Sequence, residues 1–148
     1  MYNMEKGAKF MSRLDKLLAL GVEQPKSEQL LGIVFESAND GHSICKWHVT
    51  PAHLNGAGIV LGGFTTAAAD VGMGYAVMSL EGMEEHFTSV SINTTFHRPG
   101  NPGEITIDTK VIRNGRTMLY LESELFQNDK LLANVTSTMM KLPIKMTH

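Results

Sequence analysis

Hydrophobic and polar positions along the chain change period several times, and each change marks an element. Between Met4 and Leu18, the residues Phe10, Met11, Leu14, Leu17 and Leu18 recur at helical spacing while Lys6, Lys9, Arg13 and Lys16 lie elsewhere, which predicts a short amphipathic helix. Glu5 and Asp15 break up its basic face and favour packing on the domain over attachment to a membrane. Gly21 and Pro25 end it, giving an N-terminal helical segment over 1–24 and a single domain over 25–148. Ile33 to Ser37 and Ser43 to Val49 flank Ala38-Asn39-Asp40-Gly41, the pattern of a hairpin. From Gly62 to Leu80 the chain is built almost wholly of Gly, Ala, Thr, Val and Met, and a helix apolar all round is a buried one. Gly72 and Gly74 each cost ~0.8–1.0 kcal/mol relative to Ala in a helix interior, so a closely approaching neighbour is expected to repay them.

Beyond that helix the period drops to two. Val90, Ile92, Thr94 and Phe96 alternate with Ser89, Ser91, Asn93 and Thr95, and Ile105, Ile107, Thr109 and Val111 alternate with Thr106, Asp108 and Lys110. Asn114-Gly115 signals a two-residue type I′ turn into a strand over Thr117 to Phe126. Asn128-Asp129 marks a further turn into a last strand, Leu131 to Leu142. Helix, two strands, a long buried helix and four strands in meander describe an α+β domain: an antiparallel sheet of about six strands curled round one central helix.

Composition narrows the function. At 148 residues with 43% hydrophobic and 19% charged side chains, the chain is one globular domain with a core that needs no staple. A lone cysteine, Cys45, cannot form an internal disulfide and points to a reducing, cytoplasmic setting. Thirteen Lys and Arg against 15 Asp and Glu leave a net charge of −2, without the basic excess that nucleic-acid binding needs. The longest apolar run near the start, Leu17 to Val22, follows Asp15 and Lys16 and does not resemble a secretory signal. Asn55 to Leu80 carries one charge, Asp70, but its six glycines and mid-segment carboxylate argue for buried protein rather than a membrane span. The histidines at 42, 48, 53, 86, 97 and 148 lack ligand spacing, so no metal site is expected, and no Walker, GxGxxG or GxSxG motif occurs.

Several residues carry chemistry. Asp70 is a lone ionisable group in an uncharged stretch, either a structural carboxylate or an acid held for function. Gly62 and Gly63 open the long helix, where unpaired N–H groups and a partial positive charge suit an oxyanion; they equally allow a sharp turn into the helix. Asn55 precedes Gly56 and reads first as a turn residue. Arg113 and Arg116 flank the Asn114-Gly115 turn, either as a solvated hairpin end or as a phosphate grip, and Arg98 stands in the loop His97 to Gly103.

The run Asn55-Gly56-Ala57-Gly58-Ile59-Val60-Leu61-Gly62-Gly63, with Asp70 seven residues beyond Gly63, resembles the signature of hotdog-fold acyl-CoA thioesterases of the phenylacetate-pathway type. Pro51-Ala52-His53-Leu54, Asn93 to Pro99 and Arg113 to Thr117 fit the same family, and the resemblance spans roughly residues 30–142. It departs at Leu61, where the family has His, and a leucine there is expected to be packed. The resemblance implies a hotdog fold and hydrolysis of acyl-CoA to acid and CoA without metal or redox cofactor. Asp70 would be general base or nucleophile on a water held with Ser89, with Thr88 or Ser91 the alternatives if the register slips. Asn55 with the Gly62 and Gly63 amides would polarise the carbonyl; Arg98, Arg113 and Arg116 would hold CoA phosphates, and Leu61 would line the substrate site. It further implies a homodimer or homotetramer, each site taking Asn and Gly from one protomer and Asp and Ser from another. Two other classes stand beside this one: a module that binds acyl-CoA or a small ligand without turnover, and a hotdog dehydratase, which would need a His paired with an acid.

Overall fold

The computed structural model describes residues 11–143. The expected helix over Met4 to Leu18 lies partly outside that range; within it, α1 spans Arg13–Ala19. Ser12 starts it with a capping box: its hydroxyl accepts from the Asp15 N–H while the Asp15 carboxylate accepts from the Ser12 N–H. Pro25 does not simply terminate structure but precedes a second short helix, α2 (Lys26–Leu31), closed by Gly32 at φ +79°.

The remaining elements are β1 (Ile33–Asn39), β2 (His42–Val49), a 3-10 turn (Pro51–His53), α3 (Gly62–Met78), β3 (His86–Phe96), β4 (Gly103–Asn114), β5 (Met118–Gln127) and β6 (Lys130–Leu142). All pairings are antiparallel, in the order β1-β2-β4-β5-β6-β3. The meander therefore holds only for β4, β5 and β6. The third strand crosses to the far edge beside β6 instead of beginning the meander, because alternation fixes a strand's faces but not its neighbour. The expected turns form at two of three places. Left-handed backbone occurs at Asp40-Gly41 and at Asn128-Asp129, the two-residue turns of the sheet. Asn114 instead ends β4, paired with Leu119, and Gly115 opens a longer connection after a bulge between Val111 and Arg113.

Residues of α3 are buried against the sheet, with Ala68, Ala69, Met73, Ala76 and Val77 removed from solvent. Gly72 shows why small residues are needed. A Cβ there would lie 2.8 Å from Thr109 Oγ1 and 2.9 Å from Ile107 Cγ2, both on β4, and the Gly72 carbonyl accepts from the Ser43 hydroxyl at 2.7 Å. Close contact over β4 thus offsets the helix propensity lost at Gly72. Gly74 faces open space, and nothing in the structure explains it. Cys45 is fully buried on β2, and burial pushes its thiol up to about 12, so it is a core residue rather than a nucleophile. Among the described residues no helix is long and apolar enough to cross a membrane.

Candidate active site

Gly62, Thr66 and Asp70 recur every four residues, so they share one face of α3, and that face meets the edge strand β3. Three contacts follow one another along this seam. The Phe96 ring covers Gly62, where a Cβ would come within 2.9 Å of it; the hydroxyls of Thr66 and Thr94 meet at 2.7 Å; and the Ser89 hydroxyl donates to Asp70 Oδ1 at 3.2 Å. Ser89 is placed there by register. It pairs with the buried Met139, a bulge follows between Ser89 and Ser91, and Thr88 and Ser91 pair with Met140 and Thr138 on the outer face of the sheet. The structure therefore selects Ser89 over its two neighbours.

Asp70 reaches the molecular surface at the middle of α3. Desolvation by the surrounding protein raises its pKa above the ordinary 3.8, and the Ser89 hydroxyl pulls it partly back. The result is a carboxylate of increased basicity that accepts from a hydroxyl with lone pairs left to accept from a water.

At the other end of the seam Asn55 fills its turn role and also borders a groove. Its Oδ1 accepts from the N–H of Ala57 at 2.9 Å and of Ile59 at 3.3 Å, closing the loop before the helix. That use of the oxygen fixes the amide's orientation and does not engage the Nδ2 hydrogens, and Asn55 lines a groove of about 490 Å3. Ile59, Val60, Gly62, Phe96 and Leu132 form much of its wall, and Asn55, Thr65 and Arg98 supply polar groups. Gly63, by contrast with Gly62, has nothing near its Cβ position, so the helix N-terminus is open on that side. Leu61 is the N-cap of α3 and contributes no side-chain hydrogen bond. It is 46% exposed, so the expectation of a packed leucine fails: a side chain at an N-cap projects off the helix end and here meets solvent.

The chain thus brings together Asn55, Gly62 and Arg98 in one cluster and Asp70 with Ser89 in another. Seven residues of helix separate Gly63 from Asp70, about 10 Å at 1.5 Å per residue, too far for one thioester carbon to touch both. The arginines also divide. Arg98 donates from Nη1 to the Leu131 carbonyl at 2.9 Å and borders the groove. Arg113 and Arg116 border a separate groove of about 330 Å3 at the β4–β5 end of the sheet. Arg113 pairs with the exposed Tyr120, opposite in facing to buried Leu119 and Leu121, so it lies on the sheet face turned away from α3. Phe96 and the Thr66–Thr94 pair were not singled out from the sequence, although the four-residue spacing of Gly62, Thr66 and Asp70 was legible there.

Comparison with known proteins agrees with this architecture. Residues 57–133, slightly more than half of the chain, match the Thioesterase superfamily. A Saccharolobus solfataricus protein provisionally named an esterase is 26% identical over 129 residues, covering 86% of this chain and 83% of the relative. The solved phenylacetic acid degradation-related protein of Ralstonia eutropha superposes with a TM-score of 0.80 at 26% identity, covering 86% of this chain and 98% of that one. A conserved protein of Pseudomonas aeruginosa gives 0.76 at 27% identity over 80% and 95% of the two chains. The PaaI protein of Escherichia coli, at 22% identity, shares the fold with a TM-score of 0.78 over 86% and 92%. A six-stranded antiparallel sheet wrapped on one long helix, the Asn55 and helix-terminal groove, and the match over residues 57–133 place this chain in the thioesterase superfamily, with the hotdog fold of the phenylacetate-pathway type.

Proposed function

We propose that the protein hydrolyses acyl-CoA thioesters to a carboxylic acid and CoA at a site shared between two copies of the chain. The observation that carries this reading is the split of complementary groups along one exposed seam: oxyanion donors at one end, an acid with a water-holding hydroxyl at the other. The thioester oxygen would lie against Asn55 Nδ2 and the N–H groups of Gly62 and Gly63, which are pre-oriented for the charge of the tetrahedral intermediate. Asp70 of the second copy would take a proton from a water that donates to it and is steadied by Ser89, and that water would attack the carbonyl. The leaving thiolate has an intrinsic pKa near ~8.5, so departure needs little protonation.

Joining the halves follows from β3. It lies at the sheet edge, carries no proline and leaves Val90 and Phe96 exposed, the features of an edge open to pairing. In a two-fold antiparallel pairing of this strand with its own copy, setting Ser89 opposite Phe96 would bring the copy's Asp70 to this chain's Gly62 and Asn55. The test is thiol release over a panel of short, medium, long and aromatic acyl-CoAs, together with the mass of the protein in solution. Leu61 in place of the family His supports one other reading, a module that binds acyl-CoA without turning it over; steady thiol release excludes it.

A further inference from the structure

The first turn of α3 is held by side chains as well as by its backbone. Phe64 and Thr65 donate their N–H groups to the Leu61 carbonyl at 3.0 and 3.4 Å, while the N–H groups of Gly62 and Gly63 donate to no backbone carbonyl among the described residues. How strongly such an N–H donates depends on the carbonyl in its own peptide unit. For Gly63 that carbonyl belongs to Gly62, and the two ends of the unit polarise together. Thr66, one helical turn further on, donates its hydroxyl to the Gly62 carbonyl at 3.3 Å, in addition to the ordinary backbone bond of the helix.

A hydroxyl bond of that length is weak alone, and its support comes from the edge strand. The Thr66 and Thr94 oxygens lie 2.7 Å apart. A carbonyl can only accept, so Thr66 spends its proton on Gly62 and its oxygen receives the proton of Thr94. This fixes the direction of the chain: Thr94 donates to Thr66, Thr66 to the Gly62 carbonyl, and the same peptide unit presents the Gly63 N–H. Thr94 is set in place by pairing with the buried Val135 on β6, and Gly63 has open space at its Cβ position, so the far end of the relay is accessible.

We propose that Thr66 and Thr94 are positioning residues for the oxyanion donors, their two hydroxyls polarising the Gly62–Gly63 peptide and anchoring its plane to β3. This rests on the acyl-CoA reading above. Two successive glycines have no side chains to hold that plane, so the hydroxyl bond and the helix backbone set it. Hydrogen bonds in a chain strengthen one another by roughly 10–30% each, and one oxyanion donor is worth about 10²–10³ in kcat, so the relay supplies about 2- to 8-fold.

The experiment compares wild type with Thr66→Val, Thr66→Ser, Thr94→Val and the Thr66→Val/Thr94→Val double variant in thiol release, and follows the Gly62 carbonyl carbon by NMR in the absence of substrate. Thr66→Val keeps the shape and removes the hydroxyl; it should lower kcat about 2- to 8-fold with KM unchanged. Thr66→Ser should recover most of that loss, and Thr94→Val should cost less than Thr66→Val. The double variant should be no slower than Thr66→Val, because Thr94 acts only through Thr66. The Gly62 carbonyl resonance should move upfield in Thr66→Val and return in Thr66→Ser. A raised KM, an equal loss in Thr66→Ser or additive losses in the double variant would overturn the relay. A carbonyl shift that depends on the Thr66 hydroxyl, in a protein that releases no thiol, would support the relay and defeat the hydrolase reading. Wild-type kcat with an unmoved carbonyl resonance in Thr66→Val would overturn the relay and leave the hydrolase reading standing.

Discussion

Replacing Asn55 by aspartate separates the two jobs of that side chain. The variant keeps an oxygen where Oδ1 accepts from Ala57 and Ile59 at 2.9 and 3.3 Å, so the loop should still close. It removes the Nδ2 donor and puts a carboxylate where negative charge develops on the thioester oxygen. Loss of one oxyanion donor costs about 2.7–4 kcal/mol of transition-state stabilisation, equivalent to a fall of roughly 10²–10³ in kcat. Stability should change little, because the loop bonds persist and Asn55 is only half-buried: a shift within about 0.5 kcal/mol, as for surface substitutions. Asn55→Ala provides the contrast, losing both the donor and the loop closure, with about 1 kcal/mol of stability lost as well. The assay is thiol release under saturating acyl-CoA, alongside thermal unfolding of both variants. Wild-type kcat in Asn55→Asp would show that Nδ2 does not meet the substrate; a large fall in melting temperature would show that the oxygen is not what closes the loop.

Asp70→Asn should lower kcat by ~10²–10⁴ while retaining CoA affinity, measured by single-turnover kinetics and calorimetry. Because the folded pKa of Asp70 is raised, its contribution to stability is complete below the unfolded pKa and declines as pH rises through the folded one; Asp70→Asn should therefore gain stability relative to wild type toward neutral pH, and a difference in denaturation midpoint between variant and wild type that is the same at pH 3 and 7 would contradict this. The acid limb of kcat/KM should lie above the ordinary aspartate range for the same reason, as a pH–rate profile would show. Leu61→His should leave melting temperature nearly unchanged, since an exposed N-cap side chain buries no imidazole, and differential scanning will detect any cost. Gly72→Val should destabilise the fold by about 1–3 kcal/mol in urea titration, because Thr109 and Ile107 already occupy the space.

Much of this architecture is legible in the sequence because each element carries its own period. The all-apolar run from Gly62 to Leu80 reads as a buried helix, and alternation at Val90 to Phe96 and Ile105 to Val111 reads as strands with one face inward. Strand order is not legible in the same way. Nothing local in His86–Phe96 says that its neighbour is β6, because alternation fixes which face of a strand is buried but not which strand lies beside it. Pro25 precedes α2 although it reads as a stop, since proline is compatible with both positions. At the candidate site, the run from Asn55 to Asp70 singled out in the sequence spans the loop and helix that border the groove and the seam, and the bulge after Ser89 is what brings its hydroxyl, rather than that of Thr88 or Ser91, to Asp70. Both readings of Asn55 were open from the sequence, and what only the structure adds is that the turn uses the amide oxygen, so the two readings need not compete.

A catalytic site built from two copies of this chain can be reassembled from two inactive variants by subunit exchange. Equal amounts of Asp70→Asn and Asn55→Asp protein, each nearly inactive alone, are mixed, exchanged and assayed for thiol release from acyl-CoA, with exchange confirmed by mass. A hybrid dimer has one site with both substitutions and one with neither, so random exchange should restore about a quarter of wild-type activity. Confirmed hybrids with no more activity than their parents would place Asn55 and Asp70 in a site within a single chain, or in no shared site at all.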